Sequence, residues 1–198
     1  MADLFKEKAQ VWDTGSIRVN GAKKIADAIR DNFQLNQEMD ILDFGVGTGL
    51  LGFDIATTVK QVYGVDTSQE MISKLEEKNS DELHIIPFVQ DIIKEPLKHK
   101  FDGLISSMTL HHIENLNSFF ETIYKNIKDG GFIAIADLES EDGTFHSDNT
   151  GVFHFGFNKE ELVKIVENSG FKNVEFKNIN TIKKPQRDFG IFLLSATK

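Results

Sequence analysis

Three stretches of this chain hold residues whose type and spacing bear on chemistry. The first is "DILDFGVGTGLLG", residues 40 to 52, an apolar run that breaks into alternating glycines: Gly45, Gly47, Gly49 and then Gly52. Glycines in that position let the chain turn tightly and let a ligand lie against bare backbone. Asp43 stands just ahead of them, and Asp66 closes "QVYGVD" further on. A carboxylate about 20 residues beyond such a glycine turn typically accepts hydrogen bonds from both hydroxyls of a ribose. Glycines and Asp66 together therefore read as a nucleoside site, a stronger reading than a merely structural turn. Taken from Gly47, "GTGLLG" also matches the dinucleotide pattern G-x-G-x-x-G, which keeps a nicotinamide-dependent oxidoreductase open as a rival.

The second stretch is "SSMTLHHIEN", with Ser106, Ser107, His111 and His112. The histidines are candidates for a general base or a substrate contact, and capping of the next helix is the plainer alternative. No triad surrounds the serines, which are expected to line a cleft rather than attack. The third stretch, "LESEDGTFHSDNTGVFHFGF", is long for a connection and carries His146, His154, Phe153, Phe155 and Phe157. The phenylalanines alternate, which predicts an aromatic wall with His154 facing away; packing of the loop onto the core is an equal alternative. His146 and His154 with Asp137 and Glu139 match no compact ligand spacing, so no metal is expected.

These groups need a scaffold, and the chain spells out an alternating one. Ala22, Ile25, Ala26, Ile29 and Phe33 fall at helical spacing. "DILDF" is a buried strand, the glycines lead into a helix near Leu50 to Thr58, and "QVYGVD" is a second strand. Thr67 with Glu70 predicts a capping box for the helix carrying Met71, Ile72 and Leu75. "LHIIPFV" and "FDGLISSM" are strands three and four. Leu116, Phe119, Phe120, Ile123 and Ile127 form a helical stripe that Gly130 and Gly131 stop before the strand "FIAIAD". Asn158 with Glu161 starts another helix and Gly170 ends it. "NVEFKNI" and "FGIFLLSAT" complete a seven-stranded, mostly parallel sheet with helices on both faces, the last strand antiparallel because its connection is too short for a crossover.

Composition narrows the function. The chain has 198 residues, 22 basic and 31 acidic, for a net charge of −9. That balance disfavours nucleic acid as a partner. The nearest basic cluster, "KNINTIKKPQR", is expected to be a solvated loop before the last strand. No apolar run approaches the ~20 residues of a membrane span, and "MADLFKEKAQVWD" lacks the apolar core of a signal peptide. There is no cysteine, hence no disulfide, thiolate site or cysteine nucleophile. A cytoplasmic protein working on a small molecule is the expectation, and oligomeric state is not readable.

The local order acid-x-G-x-G-x-G in "DFGVGTG", "GVD" ending strand two, "VQDI" after strand three, "FDGLISSMTLHHI" and "NIKDGGFIAIAD" come in the order of one family. The chain resembles the class I S-adenosylmethionine-dependent methyltransferases, most closely the small-molecule branch that includes ubiquinone and menaquinone biosynthesis enzymes. The resemblance implies a Rossmann-like three-layer sandwich. It also implies a single domain over residues 1–198, with an N-terminal cap segment at 1–19 and a substrate lid at 138–157. By the same resemblance, Gly45, Gly47 and Gly49 pass beneath the methionine and ribose of S-adenosyl-L-methionine, and Asp43 anchors the loop near the methionyl amine. Asp66, with Thr67 beside it, takes the ribose hydroxyls. Asp91 receives the adenine amino group with Ile92 backbone beside it, capping of a helix being the alternative for Asp91, and Ser107 lines the cleft. His111 and His112 then lie at the methyl, and Trp12, His146, His154 and Phe155 near the acceptor. The strand-four end "SSMT" lacks the Asn/Asp-Pro-Pro-aromatic motif of adenine methylases. A protein methyltransferase and a non-catalytic cofactor-binding relative stay open, as do the acceptor and its reacting atom.

Overall fold

The structure is a computed structural model that describes residues 9–198. Expectations for residues 1–8, the start of the N-terminal cap segment, lie outside the described residues. Seven strands form one sheet: β1 (Asp40–Phe44), β2 (Gln61–Asp66), β3 (Ile85–Val89), β4 (Phe101–Ser107), β5 (Ile127–Leu138), β6 (Lys172–Lys183) and β7 (Asp188–Thr197). The order across the sheet is β3-β2-β1-β4-β5-β7-β6. β1 to β5 run parallel, and β7 is antiparallel to both of its neighbours, β5 and β6. This is the Rossmann-like sandwich that the alternation of strand and helix predicts. The strand order reverses between β1 and β4, and ligands of open α/β sheets bind beyond the carboxyl ends at such a point.

Helices α1 (Ser16–Asn32), α2 (Leu50–Ala56), α3 (Gln69–Glu76), α4 (Leu116–Asn126) and α5 (Lys159–Asn168) cover the two faces. β1 is buried at every residue, as a strand covered on both sides must be. Its successive residues alternate between two cores. Ile41 packs with Ile25 and Ile29 of α1, Ile55 of α2 and Leu75 of α3. Leu42 packs with Phe119, Phe120 and Ile123 of α4 and with Leu162 and Val166 of α5. One residue of register thus decides which layer a side chain joins.

Three local expectations are corrected. The helix expected to be capped by Thr67 starts one residue later. Ser68 is the cap, its Oγ accepting from the Met71 N–H at 3.2 Å, because the Asp66 carboxylate takes the Ser68 N–H at 2.9 Å and holds the chain extended there. α4 ends at Asn126, before Gly130, because Ile127 is already extended and pairs with Phe101 of β4. The basic stretch is not a loop: Lys177 to Lys183 lie in the edge strand β6, and only the next few residues turn. Among the described residues no helix is long and apolar enough to cross a membrane.

Candidate functional site

The site grows from the turn between β1 and α2. The Gly45 and Val46 N–H groups both donate to the Val65 carbonyl, at 2.8 and 3.0 Å, which binds the turn to β2. The Gly47 N–H donates to Asp66 Oδ2 at 2.9 Å, while Asp66 Oδ1 accepts from Ser68. One carboxylate therefore ties the glycine turn to the start of α3. Gly45 and Gly47 both have positive φ, 69° and 53°, but for different surroundings. A Cβ on Gly45 would lie 2.2 Å from Thr109, so the next element packs directly on it. A Cβ on Gly47 would meet nothing nearer than the Met71 sulfur at 4.0 Å. Half-buried Gly47 thus has open space beside its Cα, where a ligand can approach.

Asp43, at the carboxyl end of β1, is buried, and among the described residues its Oδ2 has no hydrogen-bond partner. Its pKa is pushed up to about 8, first by burial and then by the neighbouring Asp66 charge, with the Gly52 backbone opposing. Gly52 is glycine because a Cβ there would press on Asp43 Oδ2 and on Ile85, both at 2.8 Å. The Asp66 charge beside bare backbone, with a proton on Asp43 that a cation would displace, makes a site that favours a positively charged ligand.

Asp91 caps no helix, because only a turn follows it: Oδ1 accepts from the Ile93 N–H at 3.1 Å, and Oδ2 pairs with Lys94 at 2.6 Å. Burial raises its pKa, but the Lys94 hydrogen bond and charge outweigh that and hold it below the ordinary value. Ile92 is buried and Thr67 exposed. Ser106 does not line the cleft, which corrects the expectation for it; it is buried and its hydroxyl donates to the Phe44 carbonyl at 2.7 Å, joining β4 to β1. Ser107 is half-buried at the strand end.

Beyond Ser107 the backbone takes an unusual course. Met108 has φ 56°, uncommon for a bulky side chain, and its N–H donates to the Ala136 carbonyl at 2.8 Å. This turns Thr109 onto the glycine loop, Oγ1 to Gly45 O at 3.4 Å, and starts the one-turn helix Leu110–His112. His111 is buried against Asp137, Nδ1 to Oδ1 at 2.8 Å. His112 Nδ1 donates to the Gly151 carbonyl at 2.7 Å, since a carbonyl can only accept. The His146 ring lies 4.9 Å from that of His111 and 6.3 Å from that of His112. Burial first, then the two other histidines, lowers the His146 pKa to about 4.

The expected lid is stitched to this turn. Phe153 and His154 N–H groups donate to the His111 carbonyl at 3.0 and 3.3 Å, and His154 Nε2 reaches the Ile113 carbonyl at 2.9 Å. The single aromatic wall is not formed: Phe157 is buried in the core, whereas Phe153 and Phe155 are exposed, because the segment is irregular and does not keep a strand's alternation. Trp12 lies in a short turn with the Arg18 guanidinium 4.4 Å above its ring. Next to it, Asp13 accepts from Thr48 of the glycine loop at 2.6 Å and pairs with Lys78 at 2.7 Å. Sequence reasoning missed Asp13, Thr48, Met108 and Thr109. It considered Asp137 only as a metal ligand, since nothing local marks a carboxylate whose partner comes from another strand.

A family model described as a methyltransferase domain matches residues 42–135, from β1 into β5. An uncharacterised methyltransferase of Schizosaccharomyces pombe is 30% identical over 163 residues, 73% of this chain and 57% of that protein. The chain is thus similar to methyltransferases over most of its described length, and residues 42–135 match their domain. The fold agrees with an S-adenosylmethionine-dependent methyltransferase structure from Clostridium acetobutylicum, with TM-score 0.72 and 19% identity over 98% of this chain and 99% of that one. It also agrees with a phosphoethanolamine N-methyltransferase from Haemonchus contortus in complex with phosphomonomethylethanolamine and S-adenosylhomocysteine, with TM-score 0.70 and 20% identity over 87% of this chain and 52% of that one. The chain spans about half the length of the curated relatives it matches. The cradle fits S-adenosylmethionine, whose product is bound in the phosphoethanolamine N-methyltransferase structure. S-adenosylmethionine is cationic at sulfur and amine and carries no phosphate, and the orphaned, buried Asp43 oxygen beside Asp66 suits such a charge.

Proposed function

We propose that this methyltransferase moves a methyl group from S-adenosyl-L-methionine to a small organic acceptor and releases S-adenosylhomocysteine. The observation that carries the reading is Asp66 holding the bare backbone of Gly47, with the buried Asp43 carboxyl close to it. S-adenosylmethionine, when bound, supplies a methyl already activated by the sulfonium. The protein then has to hold the acceptor in line and keep water out. In this reading Gly45, Gly47 and Gly49 lie under the cofactor, and Asp66 accepts from the ribose hydroxyls with Thr67 at its edge. Asp43 faces the cationic end. Asp91 and Ile92 border the adenine, Asp91 keeping its turn with one oxygen, and Ser107 closes the cleft toward β4.

The acceptor side comprises His111, His112, Trp12 and the lid, residues 138–157, with His146 and Phe155 toward the acceptor and His154 as a tether. The acceptor is a small molecule rather than nucleic acid, in keeping with the net charge of −9. A cytoplasmic location and a single domain over residues 1–198 belong to the same reading. Parallel calorimetric titrations with S-adenosylmethionine, S-adenosylhomocysteine and NAD test it. Saturable binding of the two sulfur compounds with NAD silent is the expected result. Binding of NAD alone would transfer the site to the dinucleotide reading, and no binding of any of the three would overturn the cofactor assignment.

A further inference from the structure

We propose that the groove between α1 and β6, with Arg18 and Lys184 at its rim, binds an anionic group of the acceptor, a carboxylate or a phosphate. The inference rests on the methyl-transfer reading and deepens it by naming the acceptor's charge. The groove has a volume of about 310 Å³ and is lined by Asn20 and Lys24 of α1 and by Asn180, Thr181 and Lys183 of β6. Among the described residues no acidic side chain lines it, in a chain whose net charge is −9. Lys24 Nζ donates to Asn180 Oδ1 at 2.8 Å, an amide oxygen rather than a carboxylate, so the lysine keeps its charge uncompensated. Ammonium, amide and hydroxyl groups brought together in this way are the donor set that recognises anionic oxygens.

The fold puts the groove at the same end of the sheet as the glycine loop. α1 runs against the strands: Phe33, just past its carboxyl end, stacks at 4.0 Å on Phe132, which is level with Gly103 near the start of β4. Ahead of its amino end, Asp13 accepts from Thr48 of the glycine loop. β6 is antiparallel to β7 and so runs with β1 to β5, and Asn180 is level with Ile191 and, through it, with Leu138 at the end of β5. Lys183 then leads into Lys184, which donates to the Phe145 carbonyl of the lid and lies 3.9 Å over that ring. The Arg18 guanidinium rests on Trp12. Neither Arg18 nor Lys184 forms an ion pair among the described residues. Burial first, with the Arg18 charge adding to it, outweighs Glu141 and lowers the Lys184 pKa. Glu141 spends its Oε2 on the Gly143, Thr144 and Phe145 N–H groups instead. Two cations held near each other without a counter-ion gain most from an anion placed between them.

Carbon-13 NMR of lysine Cε and arginine Cδ, on the full chain bound to S-adenosylhomocysteine, tests this without an acceptor. The protein is titrated with inorganic phosphate, with acetate and, at matched ionic strength, with sodium chloride. Lys24, Lys184 and Arg18 should shift together and saturate with phosphate or acetate, but not with chloride. The tighter of the two anions gives the class of the acceptor's group. The Phe145 amide and the His146 ring should move at the same midpoint, because Lys184 ties the groove to the lid. Lys24→Gln should raise that midpoint about tenfold or more, the effect of losing one charge-assisted hydrogen bond, and Lys24→Arg should restore it. Calorimetric affinity for S-adenosylhomocysteine should be kept in both variants. No saturation by either anion, or saturation that Lys24→Gln leaves unchanged, overturns the groove as an anion site. Saturation at Lys24 with a silent lid overturns its link to the acceptor. A protein that ignores S-adenosylhomocysteine yet saturates with phosphate or acetate overturns the methyl-transfer reading and leaves the anion site standing.

Discussion

Asp66 illustrates how much one side chain can organise. Its carboxylate accepts from the Gly47 and Ser68 N–H groups at 2.9 Å each, shaping the glycine turn while facing the place assigned to the ribose. Asp66→Ala should weaken S-adenosylhomocysteine binding by roughly 1–3 kcal/mol, the range for losing a charged acceptor. Calorimetry checks this, and unchanged affinity would remove Asp66 from the site. Asp43 behaves differently because, among the described residues, no cation meets it. A cationic ligand should draw off its proton, so affinity for S-adenosylmethionine should rise with pH up to about 8. Titrations across that range, in buffers of different ionisation enthalpy, would detect the released proton; a flat profile would contradict it.

At the scale of elements, the segment after β5 is held by a few polar ties rather than by a core of its own. His112 bonds to Gly151 and His154 to Ile113, and Lys184 donates to the Phe145 carbonyl while lying 3.9 Å over that ring. Burial lowers the Lys184 pKa, a sign of how closely the turn between β6 and β7 covers the lid. Lys184→Met keeps the stem but removes the donor. Amide exchange across residues 143–152 should then quicken while β1 and β4 remain protected. Equal protection in both proteins would mean the tie is idle. α5 depends on a more local device, Asn158 Oδ1 accepting from the Glu161 N–H at 3.1 Å. Asn158→Ala should cost about 1 kcal/mol in denaturant unfolding.

For the molecule as a whole, Asp43 links the site to global stability. Its folded pKa, about 8, lies above the ordinary 3.8. Below 3.8 the carboxyl is protonated in both states and contributes no pH dependence. As pH rises from 3.8 toward 8 the unfolded chain ionises Asp43 and the native state does not, so native stability falls through this window and levels off above it. Asp43→Asn lacks this dependence. The stability of the variant relative to wild type should climb by up to about 1.4 kcal/mol per pH unit within the window. Denaturant midpoints at several pH values measure it, and a constant difference would refute it. The helix-covered core sets the rest: Phe120 of α4 is fully buried, and Phe120→Ala should cost about 3–5 kcal/mol.

Sequence by itself determined the layered fold and the placing of the glycine turn and Asp66 at the ends of β1 and β2. Both follow from local rules: the apolar run of β1, the glycines that must reach positive φ, the acid ending β2, and the stripe of Phe119, Phe120 and Ile123 that needs a covered face. Element ends were legible only approximately, because competition for single N–H groups shifts them. Asp66 taking the Ser68 amide moved one cap by a residue, and Ile127 pairing with Phe101 began β5 early. Tertiary structure alone decided what surrounds the end of β4 and the segment after β5. Ser106 turned inward to Phe44, Phe157 entered the core while Phe153 and Phe155 stayed outside, and His111 met an aspartate from the neighbouring strand. Those outcomes depend on which strands lie side by side and how an irregular loop settles on them. No spacing along the chain encodes that, since β4 and β5 meet only after a helix has returned the chain across the sheet.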